Sequence, residues 1–203
     1  MRLPGKAAFK SALLRYSGIS AWRWRQLPQG LYCFNYHRIG DRDRTPYDPN
    51  VFSCSTERFT EQAHFLKRNF DMISLAQLED IVANGKRPHG RLGLITFDDG
   101  YLDNHQNALP VLLEEGLSAV FFVSTDLIGD TAIPWWDQVA WWVRHCRTYT
   151  LQFSDQTLEI NTETTEATAG SIRRVLTALK SDPRPLHIKL GELESRLGPD
   201  RPM

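Results

Sequence analysis

The sequence predicts an α/β fold built around a parallel sheet. Leu92–Phe97 and Ala119–Val123 are apolar at nearly every position, as expected of strands buried on both faces. A helix-like segment, Asn104–Glu115, separates them, with Gly116 as its stop. This strand, helix, strand order with short connections is typical of parallel α/β sheets and barrels.

The segments before this unit continue the same alternation. Capping serines and a closing glycine mark the helix ends, and short apolar runs mark the strands. The predicted elements are a strand over Leu31–Ile39 ending near His37, a helix from the cap Ser55 to about Asn69, a strand at Met72-Ile73, and a helix from the cap Ser74 to Gly85.

The second half predicts helices around a hairpin. Four tryptophans lie in the first helix, and although their rings could stack on sugars, their helical spacing favours a core role. The predicted elements are a helix over Trp135–Cys146, a hairpin of Thr148–Phe153 and Thr157–Ile160, a threonine-rich loop over 162–168, and helices over Ser171–Lys180 and Leu186–Leu197.

Composition excludes several classes of protein. The 203 residues are 41% hydrophobic and 24% charged, which is typical of a soluble globular domain and not of disorder, collagen or a coiled coil. No apolar run approaches the roughly 18 to 20 residues needed to cross a bilayer. Three cysteines, at 33, 54 and 146, indicate neither a disulfide framework nor a close metal-binding pair, and fit a reducing compartment.

Charge is distributed unevenly along the chain. Residues 1–40 hold seven basic residues and no acidic one, so the remainder is acidic and nucleic-acid binding is not expected. Residues 1–30 predict a basic helical segment without a signal peptide. Its apolar residues Phe9, Leu13 and Leu14 would form one stripe of the helix. Through this stripe, residues 1–26 would either contact a membrane surface peripherally or dock on the domain as a surface helix.

The densest cluster of polar residues, 96–101, directly follows a predicted buried strand. Asp98 and Asp99 are adjacent there, and ligands bind at the carboxyl ends of parallel strands. Gly100 allows a turn that brings both carboxylates to one pocket. They could serve as a metal ligand and a base toward water, or they could cap the next helix.

The string I-T-F-D-D-G-Y-x-D-N, together with F-N-Y-H-R-I near the start, resembles the polysaccharide deacetylase family, carbohydrate esterase family four with its NodB homology domain. Residues 94–123 match that family's order of T-F-D-D-G, helix and A-x-F-F-V strand. The resemblance implies a distorted, incomplete (β/α) barrel of the glycoside hydrolase/deacetylase type. The early N-Y-H-R-I is similar to a circularly permuted subgroup acting on bacterial exopolysaccharides.

The resemblance also implies roles for individual residues. Asp98 would be the catalytic base and Asp99 a ligand of a divalent metal, usually zinc. His37 would protonate the leaving amine, although alone it would more often be a core histidine. Separately from the resemblance, we expect Tyr101, three residues after Asp98, to line the substrate pocket through its ring or its hydroxyl.

One departure from the family pattern is serious. The family's second motif, H-[S/T]-x-x-x-H, supplies two metal ligands, and no two histidines of this chain have that spacing. A metal held by Asp99 alone would bind weakly, because catalytic zinc sites usually have three protein ligands. In the subgroup, the pair follows an insertion with a segment like Trp135-Trp136-Asp137. We therefore expect residues 31–203 to be the N-terminal portion of a deacetylase domain, truncated at the C-terminus, with 130–197 as an insertion.

Three functions follow as hypotheses. The leading one is a cytoplasmic, metal-dependent hydrolase, placed at the inner face of the membrane if residues 1–26 contact it, that removes acetyl groups, with N-acetyl favoured over O-acetyl, from a polysaccharide or its precursor. The alternative is a non-catalytic carbohydrate-binding protein or a truncated, inactive remnant of the fold. Phosphate chemistry through Asp98, Asp99 and Asp103 is disfavoured, since the usual diphosphate motif sits on a helix. A truncated barrel would expose apolar faces, so we expect marginal stability or aggregation.

Overall fold

The computed structural model describes residues 26–129, 133–146 and 150–198. Most of the predicted basic helical segment, residues 1–25, lies outside them. In chain order the strands are β1 (Gly30–Tyr36), β2 (Arg38–Ile39), β3 (Phe52–Cys54), β4 (Asp71–Met72), β5 (Arg91–Phe97), β6 (Ala119–Phe121), β7 (Thr150–Phe153) and β8 (Gln156–Glu159). The α-helices are α1 (Thr56–Asn69), α2 (Leu75–Ala83), α3 (Leu109–Glu115), α4 (Trp135–His145), α5 (Thr165–Ser181) and α6 (Leu186–Leu197).

Strand β5 is the centre of the main sheet. It pairs in parallel with β1 along its whole length, so that Tyr36 lies opposite Phe97. On its other edge, β4 pairs with the first half of β5 and β6 with the second half, both in parallel. The predicted α/β fold with a parallel sheet is confirmed, whereas closure into a barrel and truncation of one remain expectations.

Helices α1 and α2 begin at the predicted serines. The Ser55 hydroxyl accepts a hydrogen bond from the Arg58 amide, and Ser74 forms a reciprocal capping box with Gln77. These caps satisfy amide groups that a helix start leaves without partners.

The helix predicted over Asn104–Glu115 has two parts. A π-helical turn spans Asn104–Ala108, and α3 follows and ends at Gly116 with φ 63°. Pro110 in the first turn of α3 has no amide hydrogen, so it interrupts the regular hydrogen-bond ladder at this junction.

The prediction of a loop over residues 162–168 is wrong beyond Thr164. Helix α5 starts at Thr165, and the Thr164 hydroxyl caps it by accepting from the Ala167 amide at 3.1 Å. Thr168 and Ala169 are buried in this first part of the helix. Tertiary packing therefore outweighs the low helix propensity of threonine.

The prediction that 119–123 forms a fully buried strand is also wrong. β6 ends at Phe121, and the exposed fractions of Phe121, Phe122 and Val123 are 38%, 57% and 52%. Among the described residues, β6 pairs only with β5, so it forms an edge of the sheet. Its apolar side chains therefore remain accessible to water.

The described residues contain two hydrophobic cores. The first lies between the sheet, α1 and α3 and includes Phe59, Ile95 and Phe97. The second joins α4, the β7–β8 hairpin, α5 and α6. Trp142 is 1% exposed within it and the other three helix tryptophans pack against it, which confirms their core role.

Polar contacts of the loop before β3 connect the two cores. The Asp48 amide donates to Asp137 Oδ1 at 3.3 Å, and Asn50 Nδ2 donates to the Ala169 carbonyl at 3.1 Å. Arg144 donates to the Tyr47 carbonyl at 2.9 Å. None of the helices in the described part of the chain is long and apolar enough to span a membrane.

Candidate active site

His37, Asp98 and Asp99 come together at the carboxyl ends of β1 and β5. The parallel register aligns the two strand ends, and the Asp98 amide donates to the Tyr36 carbonyl at 2.9 Å. His37 Nε2 lies 3.9 Å from Asp98 Oδ2 and 4.0 Å from Asp99 Oδ2. A histidine and two carboxylates, distant in sequence, therefore share one partly exposed site.

A left-handed turn places Asp99 in this site. Asp99 and Gly100 both have φ 70°, a conformation that aspartate tolerates rarely and glycine easily. The turn also packs closely, because a Cβ added at Gly100 would lie 2.9 Å from Val123 Cγ1. Backbone of this kind persists only where the surroundings hold it, and it is common at functional sites.

Asn35 orients the Asp98 carboxylate. Its Nδ2 donates to Asp98 Oδ2 at 2.8 Å, and its Oδ1 accepts from the Thr96 hydroxyl at 2.8 Å. Asn35 was not among the candidate residues identified from the sequence. Because side chains alternate along a strand, Asn35 shares a face with His37 and Thr96 shares one with Asp98, and this period of two could have indicated it.

Burial and neighbouring charges act on Asp99. Its partial burial raises the pKa of the carboxyl above the ordinary value, the adjacent Asp98 carboxylate raises it further, and His37 opposes both effects. Neighbouring carboxylates repel each other, and a proton or a cation between them relieves that repulsion.

Arg38 anchors the segment that follows β1. Its guanidinium lies between the rings of Phe52 and Tyr101, 4.4 and 4.6 Å from their centroids. Arg38 Nε also donates to Asp103 Oδ2 at 2.7 Å, and the Ile39 amide donates to Asp103 Oδ1 at 3.1 Å. Both carboxylate oxygens of Asp103 thus accept hydrogen bonds from residues of β2. This engagement does not favour the hypothesis that Asp103 acts with Asp98 and Asp99 in phosphate chemistry.

The Tyr101 hydroxyl is engaged within the protein. It donates to Asp137 Oδ2 at 3.1 Å and accepts from Trp136 Nε1 at 2.6 Å. Burial raises the pKa of Tyr101 well above its usual value, and the negative charge of the Asp137 carboxylate is the second largest cause of the increase. The Tyr101 ring also lines a cavity with Arg38 and Asp137, while its role toward substrate stays a prediction.

Asp137 was not identified as a candidate from the sequence. It is 2% exposed, and burial raises the pKa of its carboxyl from 3.8 to about 6, although hydrogen bonds from Asp48 and Tyr101 and the charge of Arg38 oppose that shift. Its position in an apolar tryptophan helix hid its contacts with the loop before β3 and with the turn after β5.

The described residues do not complete a metal site. Within residues 26–129, 133–146 and 150–198, no group of three or more His, Cys, Asp or Glu side chains is arranged to hold a metal ion. His105, the nearest histidine in sequence to Asp99, is exposed on the π-helical turn. Asp99 could contribute one ligand, but catalytic zinc sites usually have three from the protein.

A cavity of about 420 Å³ adjoins His37. Phe52 and Ser53 line it beside His37, and the Ser53 hydroxyl accepts from the His37 amide at 2.9 Å. Residues of helix α5 also line the cavity. The volume is in the usual range of ligand pockets.

Comparison with known proteins shows where the chain has relatives. The model of the polysaccharide deacetylase family matches residues 85–181, which include Asp98, Asp99 and Tyr101 but not His37. The chain is 32% identical over 111 residues to the Bacillus subtilis (strain 168) protein named "Putative polysaccharide deacetylase YxkH". That match covers 54% of this chain and 37% of YxkH, so the chain spans well under half of this relative.

Two solved structures are similar to parts of the chain. IcaB from Ammonifex degensii is 27% identical with a TM-score of 0.43, over 56% of this chain and 48% of IcaB. The Streptococcus pyogenes deacetylase PplD, in complex with acetate, is 20% identical with a TM-score of 0.41, over 53% of this chain and 49% of PplD.

Proposed function

We propose that this chain, which contains part of a polysaccharide deacetylase domain, supplies the acid–base residues of a hydrolase that removes acetyl groups from a polysaccharide or its precursor. The observation that carries the proposal is the convergence of His37 with Asp98 and Asp99 at about 4 Å, at the end of the sheet where α/β proteins bind ligands. Asp98 and Asp99 lie inside the matched residues, and parallel pairing brings His37 to them.

Hydrolysis of an N-acetyl group needs one proton acceptor and one proton donor. Asp98 takes a proton from the attacking water, whose oxygen forms a bond to the acetyl carbon. His37 gives a proton to the nitrogen as the carbon–nitrogen bond breaks, and the products are acetate and an amine. Amide nitrogen leaves poorly without a proton, so a donor at His37 favours N-acetyl over O-acetyl substrates.

The residues around this pair suit these two roles. The Asn35 amide donates to Asp98 Oδ2 and so holds the carboxylate in one orientation. The side chains of His37 and Asp98 are 42% and 36% exposed, so a bulky polymer could reach both.

We also propose that Asp99 is one ligand of a divalent metal, with zinc as the first candidate. The described residues include no group of three or more metal-ligating side chains, so Asp99 is the one ligand that we assign. The acid–base steps above use only Asp98 and His37.

The test is acetate release from N-acetylated glucosamine oligosaccharides by the full chain. Asp98→Asn should lower the rate by about 100-fold or more. Asp155→Asn, an exposed aspartate in the hairpin turn, removes the same charge elsewhere and should leave the rate unchanged. Equal rates for wild type and the Asp98 variant would contradict the role of Asp98.

The role of the metal is tested with a chelator, which should stop acetate release, and with added zinc, which should restore it. A rate that neither treatment changes would contradict the proposal that a metal takes part.

A second candidate is a carbohydrate-binding protein without catalysis. The lack of a three-ligand cluster among the described residues favours it. It predicts that wild type and Asp98→Asn bind the oligosaccharide with equal affinity and that neither releases acetate, with or without zinc.

A further inference from the structure

The cavity beside His37 has a basic wall. Arg173, Leu176 and Lys180 of helix α5 line it together with His37 and Ser53. Residues 173 and 180 are seven positions apart, about two helical turns, so they lie on the same face of α5. The cavity therefore extends from the proposed proton donor to two cationic side chains.

Both cations lack an acidic partner within the described part of the chain. Neither Arg173 nor Lys180 forms an ion pair there, and both side chains are exposed. Arg173 donates to Asn50 Oδ1 at 2.7 Å, and Lys180 Nζ lies 6.0 Å from the centroid of the Trp135 ring. Asn50 thus holds one end of the guanidinium while its charge remains unneutralised.

One acidic side chain, Asp48, lines the same cavity. It is 4% exposed, and its Oδ1 accepts from the Asn50 amide at 2.9 Å and from Asn50 Nδ2 at 2.7 Å. Its hydrogen bonds are directed at Asn50, which in turn contacts Arg173. The free donors of Arg173 and Lys180 remain available to an anion.

We propose that Arg173 and Lys180 form a subsite for an anionic group of the glycan, close to the acetylated sugar at His37. This inference rests on the proposed function, because the two share one cavity. Guanidinium and ammonium groups bind carboxylate and phosphate by charge-assisted hydrogen bonds. The substrate class is therefore an acidic glycan, its charge carried either by a uronic acid carboxylate or by a sugar phosphate.

Binding to the full chain tests the subsite without requiring catalysis. The probes are a neutral N-acetylglucosamine oligosaccharide, an oligosaccharide of equal length that alternates N-acetylglucosamine with glucuronic acid, and N-acetylglucosamine 1-phosphate. Calorimetry should show an acidic probe binding about tenfold tighter than the neutral one. The tighter of the two acidic probes identifies carboxylate or phosphate, and about 0.5 M salt should weaken the preference.

Double variants distinguish binding at this subsite from a general effect of the protein's positive charge. Arg173→Gln with Lys180→Gln should remove the preference for the acidic probe, and the reversal to Glu at both positions should invert it. Arg68→Gln with Arg87→Gln removes the same charge from exposed residues outside the cavity and should keep the preference. All of these positions are exposed, and equal melting temperatures would verify folding.

The outcomes distinguish the subsite from the proposed function. Equal affinity for neutral and acidic probes, or an unchanged preference in the Arg173 and Lys180 variant, would overturn the subsite. Acetate release with the same kcat/KM from neutral and acidic glycans would also overturn it and would leave the deacetylase proposal standing. Tight acidic binding that depends on both residues, without acetate release from any glycan, would support the subsite and contradict the deacetylase.

Discussion

Asn35 Nδ2 donates a 2.8 Å hydrogen bond to Asp98 Oδ2, so the carboxylate proposed as the base is held by a residue 63 positions away in sequence. Thr96 completes the arrangement, because its hydroxyl donates to Asn35 Oδ1. The chain of Thr96, Asn35 and Asp98 thus crosses between the two central strands. It fixes Asp98 Oδ2 on the side of the carboxylate that faces Asn35.

Truncation of Asn35 tests this orientation. Asn35→Ala should lower kcat about tenfold with little change in KM, since a misaligned base affects the transition state more than substrate binding. Asn69→Ala removes an amide that bonds only locally, to the Phe65 carbonyl, and should leave kcat unchanged. An unaltered kcat in Asn35→Ala would show that Asp98 needs no such support.

The buried Asp137 should give the stability a pH dependence of its own. Burial raises the pKa of its carboxyl to about 6, so the folded protein holds this proton more tightly than the unfolded chain does. The resulting stabilisation is present below the unfolded pKa, near 4, and is lost as pH rises through about 6. Between those limits Asp137 should lower the free energy of unfolding by up to about 3 kcal/mol.

Asp137→Asn isolates this contribution. Urea unfolding at several pH values from 4 to 7 should give a variant whose stability relative to wild type rises with pH. Asp155→Asn, at an exposed turn position, should follow the wild-type curve. Parallel curves for wild type and Asp137→Asn would show that Asp137 ionises normally in the folded protein.

Gly100 should be intolerant of even one methyl group. Its φ of 70° disfavours other residues, and a Cβ would lie 2.9 Å from Val123 Cγ1. Gly116→Ala is the matched control, because Gly116 has a similar φ of 63° but no atom within 4 Å of the added Cβ. We expect a loss of about 1 kcal/mol for Gly116→Ala, from backbone strain alone, and a loss larger by about 1–2 kcal/mol for Gly100→Ala. Equal losses would show that Val123 moves aside without cost.

Lys189 should stabilise the end of helix α5. It is 7% exposed, and its Nζ donates to the Leu179 and Asp182 carbonyls, both at 2.8 Å. Lys189→Met leaves these carbonyls without that donor and should cost about 1–3 kcal/mol in urea unfolding. Lys86→Met, which removes an exposed ion pair with Asp80, should cost less than about 1 kcal/mol. A cost for Lys189→Met no larger than that of the control would contradict the capping role.

Local signals in the sequence predicted much of the fold. The caps Ser55 and Ser74 and the stop Gly116 lie where helices begin and end, because capping depends on atoms within a few residues. The same locality misled the prediction for residues 165–168, because Thr168 and Ala169 are buried in the first part of α5 and this packing stabilises a threonine-rich helix start.

The same distinction between local signals and tertiary contacts applies to the residues of the candidate site. Asp98 and Asp99 could be selected from the sequence because a turn with Gly100 follows a strand that is apolar at nearly every position, a pattern contained in ten residues. The partners Asn35 for Asp98 and Asp137 for Tyr101, and the basic residues of α5 that line the cavity with His37, depend on contacts between segments 36 to more than 100 residues apart. The sequence by itself thus determined the parallel α/β pattern and the carboxylate pair, through local propensity and through strands that are apolar at nearly every position. Only the tertiary structure decided which side chains orient that pair and which charges line the cavity beside it, because register and packing bring together residues that share no local pattern.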